Sequence, residues 1–361
     1  MDKDLFTRSK RNPILKPIKN HKWEAFKVYN PGVFYEDGKY HLYYRAMNKS
    51  EDWYSSIGYA VSDDGEHFKR FSDPLLAPNP KTELEKRGYE DPRITKVDDT
   101  YFMAYAVYDG IEPRLNIATS KDLNTWTKQG QAFKDFRFTK MGGFLPIWHS
   151  GEPRYSQKPR GKDEWSKAGA IFPSKIKNKF WMLFGDCNIW LAYSDSGIKW
   201  KSIKQPFIKP RKGKYFDNYY VEMGPPPIKT DSGWLVLYHG IDRKIYYRLG
   251  ALLLDIDDPS KILYRSKEPV FGPKESYELG KLIGKTFIDA IPGGLEAIQS
   301  KNKKDLEKYL KKLDKEKMIP KVIFCCGAVL VDGVLRIYYG ASDTFICTAT
   351  ARLDDILKTV K

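Results

Sequence analysis

One short pattern occurs five times along the chain, and it restricts the fold more than any other feature. In each copy a turn leads into a run of apolar and aromatic residues. The first copy is Asp37-Gly38-Lys39-Tyr40-His41-Leu42-Tyr43-Tyr44-Arg45; the others run over 99–105, 178–184, 232–239 and 332–339. A second strand-like run follows each copy, opening at Ile57, Leu115, Ile189, Leu249 and Ile346. A third precedes each, opening at Pro31, Pro92, Ala170, Pro226 and Gly327. In the first three copies an aromatic closes the next turn: Phe68, Trp126 and Trp200. A unit of three short strands cannot bury both faces alone, whereas units repeated radially form a propeller with protected edges. The expectation is therefore an all-β fold, a five-bladed β-propeller, with residues 1–361 as one domain. A β-sandwich also uses many short strands, but ordered repetition argues against it.

One segment departs from the β pattern. Between Leu279 and Lys317 the composition shifts to Lys, Leu, Asp and Glu, and Leu306, Tyr309, Leu310 and Leu313 fall on one helical stripe. This predicts a short helical insertion at about 279–317, before the fifth blade. It could pack on the propeller's side, cover the site or make a homo-oligomer contact.

Aromatic residues make up 14% of the chain, which suits strands and also suits stacking on sugar rings. The net charge of +16 raises the question of nucleic acid, but the basic residues are dispersed and interleaved with acids, as on a solvated surface. No nucleic-acid partner is expected. The four cysteines include no CxxC pair and suggest no disulfide framework. The N-terminus lacks the apolar core of a signal peptide, and no apolar run reaches membrane-spanning length. A cytoplasmic protein without a membrane partner is expected. Neither a phosphate-cradling glycine loop nor a GxSxG elbow is present. His239 has no His or Cys neighbour at ligand spacing. No cofactor and no metal are expected.

In a propeller the innermost strands line a central channel, so the polar residues just ahead of each unit's first strand are the candidates for chemistry. These are Asn30; Glu90, Asp91 and Arg93; Lys167; and Glu222. Asn30 and Asp91 sit at equivalent places in the repeat. Asp91 and Glu222 are two carboxyls converging from different blades, the usual apparatus of glycoside cleavage: one protonates the departing oxygen, the other activates water or attacks carbon. Asp91 could equally be a turn residue before Pro92. Arg45, Asp186, His239 and Asp343 follow strands toward the channel and could bond sugar hydroxyls.

At these residues the sequence resembles glycoside hydrolase family 130, the β-mannoside phosphorylases and β-mannosidases. The resemblance rests on Asn30-Pro31-Gly32 with Tyr44-Arg45-Ala46, on Tyr89-Glu90-Asp91-Pro92-Arg93-Ile94, and on Gly224-Pro225-Pro226-Pro227-Ile228 with Leu237-Tyr238-His239-Gly240. The runs 249–266 and Tyr338-Tyr339-Gly340-Ala341-Ser342-Asp343-Thr344 extend it to nearly the whole chain. It implies a five-bladed propeller acting on β-manno-oligosaccharides with inversion. It implies Asp91 as general acid, its proton passing through a mannose hydroxyl, and Asn30, Arg45 and Asp343 as ligands of the cleaved mannose.

Phosphorylases of this family hold phosphate with basic residues; hydrolases need a base for water. Here Phe184-Gly185-Asp186 stands where many phosphorylases have His-Arg-Pro, and Tyr220-Val221-Glu222-Met223 where they have a lysine. A carboxylate is a poor phosphate ligand and a good water base. The sequence therefore favours a β-1,2-mannoside hydrolase with Glu222 as general base. The alternative is a phosphate-dependent phosphorylase releasing mannose 1-phosphate, its anion held by Arg154, Lys167, Arg243 or His239.

Overall fold

A computed structural model describes residues 4–50, 53–79, 81–110, 113–133, 166–242, 244, 246–279 and 321–360. Among the described residues the fold is all-β apart from a short helix at Leu353–Leu357 and single 3-10 turns. The predicted insertion at 279–317 lies, beyond its first residue, outside the described residues, as do Arg154 and Arg243.

The repeat is visible as five antiparallel units. The first contains β2 (Lys27–Glu36), β3 (Lys39–Met47), β4 (Ser55–Ser62) and β5 (Lys69–Arg70). The second contains β6 (Gly88–Val97), β7 (Thr100–Tyr108), β8 (Pro113–Ser120) and β9 (Thr127–Gln131). The third runs through β10 (Ala170–Ile171), β11 (Phe180–Phe184), β12 (Trp190–Ser194) and β13 (Lys201–Ser202). In the fourth, β14 (Tyr220–Met223) and β15 (Ile228–Thr230) both pair with β16 (Gly233–Ile241), which pairs with β17 (Tyr246–Leu254) and through it with β18 (Ile262–Arg265). The fifth has β19 (Lys321–Val331), β20 (Val334–Ala341) and β21 (Phe345–Arg352); its fourth strand is β1 (Thr7–Arg8), from the other end of the chain.

Local chemistry explains the turns. Asp37-Gly38, Lys177-Asn178 and Asp332-Gly333 have both residues at positive φ, the two-residue hairpin geometry that Asn, Asp and Gly tolerate. In three units a serine ends the third strand and caps the next turn. The Ser62 Oγ accepts from Gly65 N–H (2.9 Å), Ser120 from Leu123 (3.0 Å) and Ser194 from Gly197 (2.9 Å). The indole N–H of Trp126 and of Trp200 then donates to the carbonyls of Leu123 and Gly197.

The hydrophobic core is divided among the interfaces between units. Tyr43, Tyr59, Ile94 and Met103 join the first unit to the second; Phe102, Ile117, Phe180 and Trp190 join the second to the third. Phe172, Leu183, Trp234 and Val236 join the third to the fourth; Leu235, Leu249, Leu335 and Tyr339 join the fourth to the fifth. Val28, Leu42, Tyr44, Val329 and Ile346 join the fifth back to the first. Polar ties repeat the pattern: Tyr43 Oη donates to Leu123 O (2.7 Å), and Tyr338 Oη to Gly65 O (2.8 Å).

The unit-opening strands β2, β6 and β19 meet backbone to backbone. A Cβ on Gly32 would collide with the Pro92 carbonyl, and one on Gly327 would press on the Val33 nitrogen. Both β2 and β6 carry a bulge at this meeting point, with register shifts between Tyr29 and Gly32 and between Glu90 and Arg93. The extra residues are Asn30-Pro31 and Asp91-Pro92, which confirms the equivalence read from the repeat.

Trp234 is fully buried, lies edge-on to Phe172 (5.2 Å between centroids) and donates to Ile256 O (3.0 Å). Replacing it with Ala should cost about 3–5 kcal/mol, because the interface cannot collapse to fill the space. Urea unfolding of the two proteins checks this; an unchanged midpoint would show that the interface does not carry stability.

Candidate active site

The bulges aim Asn30 and Asp91 at each other. Both sit in the left-handed region, at φ 49 and 54, where Asn and Asp are the least strained side chains after Gly. Pro follows each, so the unpaired bulge position wastes no backbone donor. The Asn30 amide donates to Asp91 Oδ1 (2.8 Å). Arg45, on β3, donates to Glu90 Oε1 (2.6 Å) and to Ser55 Oγ (3.0 Å), stacks on Tyr29 at 4.7 Å, and places a second nitrogen 3.7 Å from Asp91 Oδ1.

Lys167 is the hub. It is 2% exposed, and its ammonium lies 3.4 Å from Asp91 Oδ2, 3.8 Å from Glu222 Oε1 and 3.9 Å from Glu90 Oε2. Its carbonyl accepts from Gly185 N–H (2.8 Å), and Ala168 beside it adopts φ 53, the same turn of backbone as at Asn30 and Asp91. The third unit thus offers a cation where the second offers Glu90.

Glu222, on β14, stands in register with His239 on β16. The turn Gly185–Asn188 lies alongside it, with Met223 N–H donating to Gly185 O (3.0 Å) and Val221 N–H to Cys187 O (3.3 Å). This brings Asp186 into the same field. Several buried polar atoms in and beside this cluster have no partner: Asp91 Oδ2, Asp186 Oδ1, Glu222 Oε1, Asn30 Oδ1 and both amide atoms of Asn188. Buried polar groups are rarely left unpaired, and where several are, a polar ligand is the natural occupant.

Burial works against every charge in the cluster, and neighbours decide the outcome. For Asp91 burial is outweighed by Lys167, Arg45 and Arg93 with the Asn30 hydrogen bond, so its carboxyl stays well below the usual range and is ionised. For Glu222 burial wins; Lys167 offsets it in part, Asp186 and Asp91 add to it, and the carboxyl is pushed up to about 8. Burial likewise carries Asp186 to about 6 against the pull of Lys167. Lys167 itself is held charged: burial opposes this, but Asp91, Glu222, Glu90 and Asp186 prevail. Burial raises Asp343 as well, opposed by Lys27 and Arg45. Asp343 sits in the turn after β20 at φ 49 and shares the electrostatic field of Arg45 and Asp91.

Two expected ligands are engaged within the protein, Arg93 through all three nitrogens and His239 through Nε2. Arg93 donates to Gly224 O (2.7 Å), Asp91 O (2.9 Å) and Met223 O (2.8 Å), so its fork ties β6 to the end of β14. His239 stacks on Phe324 (4.3 Å), and its Nε2 accepts from Cys325 N–H (2.9 Å). Burial first, then Arg93, lowers its pKa to about 3, and it is neutral. Residues absent from the expected set are Lys167 in its central place, Tyr29, Ser55 and Asn188. The repeat itself carried the signal for Lys167, which precedes the third unit's opening strand as Glu90-Asp91 opens the second's.

A buried carboxylate–ammonium cluster with Tyr29 and Phe324 beside it, on a β scaffold, suits a carbohydrate-active site. A family model described as beta-1,4-mannooligosaccharide phosphorylase matches residues 2–287, and the chain belongs to that family, glycoside hydrolase family 130. A 1,2-beta-oligomannan phosphorylase from Thermoanaerobacter sp. (strain X514) is 33% identical, covering 95% of this chain and 96% of its own. A beta-1,2-mannobiose phosphorylase from the same organism is 34% identical, covering 97% and 98%. The solved structure of a glycosyl hydrolase from Bacteroides ovatus is 28% identical, with a TM-score of 0.73 over 96% of this chain and 92% of that one.

The two phosphorylases overturn the expectation of a hydrolase with Glu222 as water base. The physical reason is in the site. The expectation took Glu222 as an anion standing in place of a cation, whereas burial holds a proton on Glu222 and the Lys167 ammonium is 3.8 Å away.

Lys167 is the counter-charge for three carboxyls, so Lys167→Met should destabilise the protein by about 3–5 kcal/mol. The loss should grow with pH. Without the ammonium Asp91 loses the largest influence holding its pKa below the unfolded value; buried, its carboxyl then rises above that value, and stability falls as pH climbs through it. Melting temperatures at pH 5 and pH 8 test this; an equal loss at both would mean that Lys167 does not hold the carboxyls ionised.

Proposed function

We propose that this chain is a phosphate-dependent β-mannoside phosphorylase, with β-1,2-linked mannosides as substrates and mannose 1-phosphate as product. We further propose that its five units form a five-bladed β-propeller with the site at the centre. The cyclic order of the five core interfaces supports the propeller: the fifth unit packs on the first, and β1 completes the fifth. The observation that carries the reaction is the pair made by Asp91 and Lys167. It places an acid–base group 3.4 Å from a buried cation that can hold an anionic nucleophile.

In this reading Asn30, Arg45 and Asp343 hold the mannose. Phosphate sits against Lys167 and attacks the anomeric carbon with inversion, forming the C1–O–P bond as the glycosidic C–O bond breaks. The leaving oxygen takes a proton from Asp91, and the proton of the monohydrogen phosphate restores the acid, so the reaction balances. Asp91 is ionised without ligands. A phosphate dianion beside Lys167 cancels the field that keeps it so, raising its pKa when a proton is needed. Ligand binding thus arms the acid.

The measurement is release from β-1,2-mannobiose and β-1,4-mannobiose with and without inorganic phosphate. Mannose 1-phosphate formed only with phosphate is the expected result; free mannose formed equally without it would sink the reading. Asp91→Asn should lower kcat about 10²–10⁴-fold in folded protein, the span of a lost general acid. Activity within a few-fold of the natural enzyme would remove Asp91 from that role.

A further inference from the structure

We propose that Glu222 binds the attacking phosphate as a neutral carboxylic acid, donating its own proton in a hydrogen bond to a phosphate oxygen while Lys167 supplies the charge. This rests on the phosphorylase reading and says how a site rich in carboxyls accepts an anion.

The geometry is that of a vacant donor. Glu222 is 1% exposed and its Oε1 has no hydrogen-bond partner. The Lys167 ammonium at 3.8 Å is too far for a hydrogen bond, and it has Asp91 and Glu90 to neutralise it as well. A buried carboxyl left unbonded beside an ammonium is expensive unless something bridges the two. A tetrahedral oxyanion has the shape to bridge them, one oxygen toward the ammonium and another toward the carboxyl. The adjacent turn adds Asp186 Oδ1 and the Asn188 amide, also buried and unbonded.

The charges around Glu222 come from every element packed on it. Lys167 precedes β10; Asp186 and Cys187 lie in the β11–β12 turn; Asp91 and Arg93 come from β6. Tyr220 is on its own strand, His239 is opposite on β16, and Cys326 is on β19. His239 is neutral, and burial holds the two thiols and the phenol protonated. Among the described residues the charges that act on Glu222 most are the cations Lys167 and Arg93 and the carboxyls of Asp186 and Asp91. Ionised, Glu222 would add a second negative charge facing the phosphate and repel it. Protonated, as burial favours up to about pH 8, it offers an O–H instead. The sign follows: phosphate affinity should hold below pH 8 and fall as pH rises through it, while mannoside affinity should not.

The experiment uses the full-length enzyme and reads the KM for inorganic phosphate between pH 6 and 9.5, with β-1,2-mannobiose saturating and mannose 1-phosphate as the product measured. In the natural enzyme this KM should climb roughly ten-fold per pH unit above pH 8. Glu222→Gln keeps a donor that cannot ionise. It should raise the KM for phosphate less than ten-fold at pH 7 and abolish the climb. Glu222→Ala removes the donor and should raise that KM more than ten-fold at pH 7, with the KM for mannobiose changed less than three-fold. If Glu222→Gln loses activity as fully as Glu222→Ala, or keeps the alkaline climb, the proposal fails while the phosphorylase reading stands. If the natural enzyme releases free mannose without phosphate, both fail. A binding measurement guards against loss of activity from misfolding. In the Asp91→Asn background, calorimetry of phosphate at pH 8.5 in two buffers of different ionisation heat should show proton uptake. Adding Glu222→Gln should abolish it, and uptake that survives would overturn the assignment.

Discussion

The buried ammonium of Lys167 holds this site together. A lysine out of water keeps its charge only in a field of carboxyls, and here Asp91 leads a ring that also includes Glu222, Glu90 and Asp186. The dependence runs both ways. Asp91 is ionised at 1% exposure largely because Lys167 lies 3.4 Å away, with Arg45 on its other oxygen. No member can be removed without leaving an uncompensated charge. The cluster is therefore fixed as a unit, and its proton balance shifts as a unit when an anion enters.

The backbone supplies this arrangement through bulges. Asn30-Pro31 and Asp91-Pro92 each insert a residue into an opening strand, at a left-handed conformation that costs roughly 1 kcal/mol or more. Two interactions offset that cost. The Asn30 amide bonds the Asp91 carboxylate, and Arg93 bonds the Asp91 carbonyl with one nitrogen and the Met223 and Gly224 carbonyls with two others. Arg93 thereby fixes the bulge against the strand that bears Glu222, and the two carboxyls are held relative to each other by backbone rather than by flexible side chains.

Much of the fold was legible because its punctuation is local. The Asp-Gly and Lys-Asn turns, the serine caps at Ser62, Ser120 and Ser194, and the aromatics Phe68, Trp126 and Trp200 are decided within a few residues, and they recur. The match between Asn30 and Asp91 was legible for the same reason. What the sequence concealed depends on long-range packing. Nothing near Arg93 says that its fork ends on carbonyls about 130 residues away. Nothing near His239 says that its Nε2 accepts from Cys325. The repeat places Lys167 ahead of the third unit's opening strand, but only the assembled site shows it buried among carboxyls.

The same blindness explains the misassigned nucleophile. Residue type suggests charge, but burial decides it. Glu222 read as an anion because free glutamate is one at neutral pH; in place it is almost wholly desolvated, with Asp186 and Asp91 adding to the penalty. A carboxyl in that condition is a hydrogen-bond donor, and its effect on a phosphate is the reverse of what its letter in the sequence implies. With Glu222 neutral, the pair facing the nucleophile is a neutral acid and an ammonium, and one negative charge fewer opposes the phosphate. The ring of carboxyls and a phosphate nucleophile are then compatible, because the carboxyl that faces the phosphate carries no charge while Asp91, which must move a proton, is ionised.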